Sequence, residues 1–397
     1  MPSQVLFQLS LSVEVLYMRS HSRCFIRFVC LSVAAIIAAS VPSLQAQKLT
    51  KRVVGDYGYW SKYQTPAYGH AQIPYHMLTH INHAGVGFDS LGQLQVPNGF
   101  IEPELNNMAH AAGVKVLLLL GGDFPGLEAS GGVQVLVDNV AAFEKQYHYD
   151  GLDIDWEYPA STADRLFLVQ LMKLLRESNP DYTLSIDVAP WGGTGYALKP
   201  LQTTTNYFNI MMYDCAGPWT DDGQLNSPIF WNYHDPEPWE CQPGGSVHDA
   251  ANIYLLQVPP KQLNMGTPFY GYFYTNINAE FATCPNAATS SDGDCDNPDV
   301  LTVNYGPQVK EYLKNVGNGW EVHRDPVAMV PYLVHPTGRD GYVTYDDPTS
   351  TYYRVWYSDW DRGLGGTFMW SLDADYDGHS QDLLSAMYAA SLAGATP

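Results

Sequence analysis

A chain of 397 residues with 46% hydrophobic, 13% aromatic and 15% charged residues has enough apolar side chains to bury a large core, which excludes intrinsic disorder. Its 20 Lys and Arg stand against 41 Asp and Glu, a net charge of -21, so it offers no basic face to a nucleic acid or to an anionic bilayer.

In chain order, Arg19, Arg23 and Arg27 precede a run of apolar and small residues over 28–41, followed by Pro42, Ser43, Leu44, Gln45 and Ala46. A basic stretch, a short apolar stretch and a small residue before the cut describe an export signal, and the run is shorter than the about 20 apolar residues of a membrane span. Residues 1–46 are expected to be a signal peptide cleaved near Ala46, with Met18 as an alternative start, and the mature chain to be secreted with no membrane segment. Cys215, Cys241, Cys284 and Cys295 then remain, an even number that favours disulfides over metal ligands in an exported protein. A short loop favours Cys284 with Cys295, while three connectivities stay open for four cysteines.

Beyond residue 50, short β-branched or aliphatic runs alternate with longer helical patterns. Strands are predicted over 53–59, 79–88, 114–120, 151–157, 183–188, 208–213, 262–270 and 365–370, with amphipathic helices such as 133–147 and 163–177 between them. Eight βα repeats imply an α/β fold, a closed TIM (β/α)8 barrel. The interval from 270 to 365 is too long for one βα unit and reads as a small α+β insertion between strands 7 and 8. Within it, 328–334 and 341–345 are strand-like, 309–315 is helical and 276–299 is polar loop. The expected organisation is a signal peptide at 1–46, a catalytic barrel at 47–271 and 343–397, and the lobe at 272–342.

Chemistry in such barrels belongs to the C-terminal ends of the strands. The fourth strand reads Asp150-Gly151-Leu152-Asp153-Ile154-Asp155-Trp156-Glu157, and alternation places Asp153, Asp155 and Glu157 on one face, about 7 Å apart along the strand. Leu152 and Ile154 take the other face, toward the helices. Three inward carboxylates repel if all are ionised, so a proton is expected to stay within the row, the condition a general acid needs near neutral pH. A solvated acidic strand end or a cation site is the plainer alternative, and the interleaved apolar residues argue against solvation.

The run from Asp150 to Glu157 resembles the DxxDxDxE signature of glycoside hydrolase family 18, the chitinases. Lys115 to Gly122, Met211-Met212-Tyr213-Asp214, Thr267-Pro268-Phe269-Tyr270-Gly271 and Gly363 to Asp373 resemble further strands of that family, in the same order. The segment Tyr342 to Asp347 resembles the end of the lobe that deepens the cleft in one chitinase subgroup. The resemblance implies retaining hydrolysis of β-1,4-N-acetylglucosamine linkages with the substrate's N-acetyl group as nucleophile. Glu157 would be the general acid, Asp155 would orient the acetamido N–H, and Asp153 would exchange a proton with Asp155. Tyr213 would hold the acetyl oxygen, Asp214 the sugar or its acetamido group, and Trp370 would floor the site, with Met211 and Tyr270 also against substrate.

The same comparison exposes departures. Asp56 stands where the family usually has Tyr, and Leu119 where it usually has Ser; both positions normally hydrogen-bond the inner carboxylate, here Asp153. An added carboxyl group there should raise at least one pKa in the cluster and shift the acid limb of activity. Tyr272 replaces an Arg that commonly supports Asp214.

Ten Trp and 28 Tyr supply rings for stacking sugars. Trp219 is the first choice among Trp60, Trp191, Trp219, Trp231 and Trp239, while Trp320, Trp356 and Trp360 read as packing. No metal or cofactor is expected. Asp292, Asp294 and Asp296 lack the Gly and Glu of a calcium loop, Asp373, Asp375 and Asp377 are followed by Leu384 at the twelfth position, and His80 and His83 read as satisfied histidines. The expected partner is chitin or its oligosaccharides, met by a monomer. Competing readings are an endo-β-N-acetylglucosaminidase acting on N-glycan cores and a non-catalytic chitin-binding lectin.

Overall fold

The computed structural model describes residues 49–192, 195–231, 241, 245–285, 295, 299–335 and 341–394. The expected signal peptide, Trp239 and the acidic run Asp292, Asp294 and Asp296 lie outside the described residues. In chain order the strands are β1 (Arg52–Gly58), β2 (His80–Phe88), β3 (Leu94–Gln95), β4 (Lys115–Leu120), β5 (Gly151–Asp155), β6 (Thr183–Val188) and β7 (Tyr207–Ile210). They continue as β8 (Leu263–Pro268), β9 (Tyr270–Tyr274), β10 (Val300–Asn304), β11 (Glu321–Arg324), β12 (Pro331–Val334), β13 (Tyr342–Thr344) and β14 (Gly366–Trp370).

Parallel pairing runs β1-β14-β8-β7-β6-β5-β4-β2, and β2 pairs back to β1, which closes an eight-stranded barrel. The (β/α)8 fold read from the sequence is therefore the observed one. The predicted seventh strand divides at Phe269. Its first part, β8, stays in the barrel, while β9 enters a separate antiparallel sheet ordered β10-β9-β13-β12-β11. That sheet stands between β8 and β14, with the short helix Lys310–Lys314 beside it.

Period-2 alternation explains the barrel wall. Leu152, Ile154, Leu184, Ile186 and Val188 are fully buried against the helix layer. The helix Thr162–Ser178 returns Phe167, Leu168, Leu171, Met172 and Leu175 to that layer, at helical spacing. Each such side chain contributes about 1.5–3 kcal/mol by leaving water. Ser161 starts this helix with a capping box: its hydroxyl accepts from Asp164 N at 3.0 Å, and Asp164 accepts from Ser161 N at 2.8 Å. The cap fixes the short segment between the helix and the end of β5.

Inside the barrel, Val54, Leu117, Tyr207 and Phe368 belong to one apolar cluster. A polar chain crosses it: Arg52 Nε donates to Asn264 Oδ1 at 2.8 Å, and Asn264 Nδ2 donates to Asn209 Oδ1 at 2.8 Å. Such a chain tolerates burial because every link is hydrogen-bonded, and it ends beneath the acidic residues of β5. Among the described residues no helix is long and apolar enough to cross a membrane.

Candidate active site

A cavity of about 250 Å³ opens at the C-terminal ends of the barrel strands, lined by Asp155, Glu157, Tyr158, Asp187, Met211, Tyr213, Asp214, Tyr270 and Trp370. The structure thus brings together seven of the site residues expected from the sequence: Asp155, Glu157, Met211, Tyr213, Asp214, Tyr270 and Trp370. Asp153 lies beneath, fully buried. Trp60 is outside the lining but its ring centroid is 6.3 Å from that of Trp370, and Trp219 meets Tyr272 edge-on at 5.6 Å. Trp191 meets Tyr158 edge-on at 4.9 Å, whereas Trp320 packs within the lobe on Tyr312 at 4.9 Å.

One detail differs from the expected strand. β5 ends at Asp155, so Glu157 stands past the last ladder bond and is exposed, while Asp153 and Asp155 remain on the barrel's inner face. Glu157 is still within hydrogen-bonding reach of Asp155 and of the Tyr158 phenol. The first acid of the run, Asp150, is not in the cavity; its carboxylate accepts from Val116 N at 2.8 Å and pairs with His110 at 2.8 Å.

Asp153 accepts from Asn82 Nδ2 at 2.6 Å and from Asn209 Nδ2 at 3.3 Å. Leu119, its register partner on β4, gives it no donor, so amides of β2 and β7 do what hydroxyls at positions 56 and 119 would otherwise do. Burial lifts Asp153 to about 6 in spite of these donors. Asp155 is lifted further, to about 8, by burial first and then by the charges of Glu157 and Asp153. Asp56 is fully buried beside Asn82, and burial followed by the Asp153 charge holds it well above the usual carboxylate range. A fourth group, Asp187, escaped the sequence reading. It is the register partner of Asp155 on β6, and burial followed by the charges of Asp153, Asp155 and Asp56 raises it well above its ordinary value. Its signal was present: Ser185 and Asp187 alternate with Leu184, Ile186 and Val188, which is the pattern of an inward polar pair.

Asp214 closes the cavity on the lobe side. Its carboxylate accepts from the hydroxyls of Tyr270 and Tyr272, the latter at 2.6 Å. Two phenols thus support the carboxylate, and burial raises Asp214 above the usual range in spite of them. Its backbone has φ 61, a left-handed conformation that Asp tolerates better than most residues. Asn226 holds that turn, accepting from Asp214 N at 2.8 Å through its side chain and from Cys215 N at 3.1 Å through its carbonyl. Asn226 N in turn donates to Thr344 Oγ1 at 2.8 Å, which ties the turn to the lobe. The disulfide Cys215–Cys241 pins the residue next to Asp214, and Cys284–Cys295 forms the second bond.

The remaining candidates have structural partners. His83 Nδ1 meets the Tyr149 hydroxyl at 2.8 Å and its ring stacks on Phe100; His80 Nδ1 meets Thr79 Oγ1 at 2.8 Å. Asp375 accepts the backbone N–H groups of Asp382, Leu383 and Leu384 at the start of the last helix, Asp373 accepts from Ser371 at 2.7 Å, and Asp377 pairs with Lys310 at 2.8 Å. Among the described residues no group of three or more His, Cys, Asp or Glu is arranged to hold a metal ion.

Asp56, Asp153, Asp155 and Asp187 all bind protons more tightly in the folded than in the unfolded chain. Their contribution to stability is complete below the ordinary carboxylate value near about 4 and is lost as pH rises through the folded values, about 6 for Asp153 and about 8 for Asp155. The melting temperature is expected to fall by a few degrees between about pH 5 and about pH 8, and Asp56→Asn to flatten that slope. Scanning fluorimetry across the interval checks this; a melting temperature that rises with pH contradicts it.

A family model, Glycosyl hydrolases family 18, matches residues 52–375. A probable endochitinase of Caenorhabditis elegans is 30% identical over 282 residues, 66% of this chain and 44% of that protein. The chain spans about half the length of the curated relatives it matches. Catalytic domain 2 of the Ostrinia furnacalis Group II chitinase is similar in structure with a TM-score of 0.73 at 24% identity, covering 86% of this chain and 96% of that one. A class V chitinase from Nicotiana tobaccum, solved in complex with NAG4, gives a TM-score of 0.70 at 20% identity, covering 87% and 99%. At these identities the structural likeness concerns the fold.

Proposed function

Because the chain belongs to glycosyl hydrolases family 18, we propose that it is a secreted chitinase, cleaving β-1,4 bonds between N-acetylglucosamine units with retention through the substrate's own acetamido group. The observation that carries this reading is the pairing, in one cavity, of an exposed Glu157 with a half-buried Asp155 within hydrogen-bonding reach of it.

Glu157, facing solvent, donates a proton to the glycosidic oxygen as the bond to the anomeric carbon breaks. The acetamido carbonyl oxygen attacks that carbon from the opposite face and forms an oxazolinium ring. Asp155 accepts the acetamido N–H and stabilises the positive charge developing there, an effect strengthened by the closed site. Burial raises the proton affinity of both Asp153 and Asp155, and the Glu157 charge adds to it at Asp155, so at rest the pair retains a proton. As positive charge grows beside Asp155 its proton affinity falls, and Asp153 takes the proton. Tyr213 holds the acyl oxygen. Water then opens the ring, giving its proton to the Glu157 carboxylate. Trp370 supplies an apolar floor for the C–H face of the sugar, and Asp214, Met211 and Tyr270 complete the pocket. The two disulfides fit export to an oxidising compartment.

Mass-spectrometric analysis of N-acetylglucosamine hexamer after incubation with the mature chain tests the reading. Shorter oligomers are expected; an intact hexamer beside a glycoprotein cut at its chitobiose core would move the substrate to N-glycans. Tyr272→Phe removes one of two hydroxyl donors to Asp214. It is expected to lower kcat/KM on the hexamer about tenfold, in line with the about 1.5–3 kcal/mol of a hydrogen bond to a charged group. Initial rates for both proteins check this, and an unchanged kcat/KM would show that Tyr270 alone suffices.

A further inference from the structure

We propose that Asp187 contacts the N-acyl group of the bound sugar and sets which acyl groups the enzyme accepts. This rests on the reading above, in which Asp155 takes the acyl N–H and Tyr213 the acyl oxygen. Those two anchors fix the plane of the amide, so the end of the acyl chain must turn into the cavity wall between them. That wall contains Asp187 and Met211.

Three observations place Asp187 there. It is the register partner of Asp155 on the neighbouring strand, and Met211 follows the partner of the next β6 residue, with Met211 N donating to Val188 O at 2.9 Å. Of the carboxylates around the Tyr213 phenol, Asp187 acts on it most strongly. Its side chain is held in place, accepting from Asn209 Nδ2 at 3.0 Å through Oδ1, and it is only 3% exposed. A fixed polar group at the end of a small pocket discriminates by chemistry as well as by size. Burial and the neighbouring carboxylates raise its proton affinity, and hydrogen bonds to Asn209 and Asp153 fix the carboxyl group in the cavity wall.

An acyl chain ending in a hydroxyl can hydrogen-bond such a group, whereas one of the same size ending in a methyl offers it only an apolar contact. N-glycolyl and N-propionyl groups differ in this respect at nearly the same size. The proposal predicts that the wild-type protein turns over a fluorogenic N-glycolyl chitobioside with a kcat/KM at least about tenfold above that of its N-propionyl counterpart. Asp187→Ala is expected to abolish that preference and to raise the propionyl-to-acetyl ratio about tenfold, while Asp187→Asn, which keeps size and polarity, retains the preference.

Ratios are the readout because a structural role lowers all three rates together and leaves them unmoved. Equal rates for the two larger acyl groups in the wild type overturn the proposal, and that comparison needs no variant to fold. So does a preference that survives in Asp187→Ala, or refusal of both larger groups by wild type and variant alike while the acetyl substrate is cut. If the wild type cuts none of the three, the proposed function itself fails and this inference with it.

Discussion

Glu157→Gln is expected to lower kcat on N-acetylglucosamine hexamer by about a thousandfold while the oligomer still binds. The amide matches the carboxyl group in size and sits at the exposed rim, past the end of β5, so the change leaves the barrel ladder intact while removing one of the charges that raise Asp155. What it removes is the transferable proton, and a leaving sugar alkoxide without protonation is a poor leaving group. The loss should therefore fall on kcat, with KM little changed. Steady-state kinetics together with calorimetric titration of the hexamer separate the two. A variant that keeps a tenth or more of the wild-type kcat would remove Glu157 from the acid's role.

Asp155→Asn carries the second large effect, about a hundredfold to a thousandfold in kcat. The neutral side chain imitates the resting, protonated form of Asp155, and it can still meet the acetamido group. It cannot pass its proton to Asp153 and become an anion when the oxazolinium charge develops, so only the transition state loses an interaction. The pH dependence gives an independent reading. Burial and the charges of Glu157 and Asp153 place Asp155 near 8, so below that value the free wild-type enzyme holds this proton and above it the proton is lost. The wild-type kcat/KM is expected to include a titration near pH 8 that is missing from the variant. Retention of that titration in Asp155→Asn would assign it to another group.

Much of this site was legible because its residues follow strand periodicity. The apolar partners Leu152 and Ile154 fixed the orientation of Asp153 and Asp155, and the barrel confirms that alternation. Glu157 was read as a strand residue because period-2 spacing says nothing about where the last ladder bond forms. Asp187 was overlooked for a different reason: alternation with Leu184, Ile186 and Val188 marks it as inward-facing but not which acid it joins, and its partner Asp155 is supplied by the register of β5 and β6. The support of Asp214 depends on the break at Phe269, which redirects β9 and brings Tyr270 and Tyr272 onto one carboxylate. Sequence spacing alone identifies neither that break nor Asn226, whose contacts join the turn after β7 to β9 and β13.

Phenols support Asp214, and Asp56, Asp153, Asp155 and Asp187 all have raised proton affinity, so the charge of the proposed site is expected to vary with pH.

The central claim is that the substrate's acetamido group, held by Asp155 and Tyr213, is the nucleophile. Proton NMR of the anomeric region during the first minutes of hexamer hydrolysis tests it most directly, before mutarotation scrambles the products. Two inversions at one carbon, by the acyl oxygen and then by water, predict that the newly formed reducing ends appear as the β-anomer. Initial release of the α-anomer would mean that water attacks directly, and would contradict the mechanism.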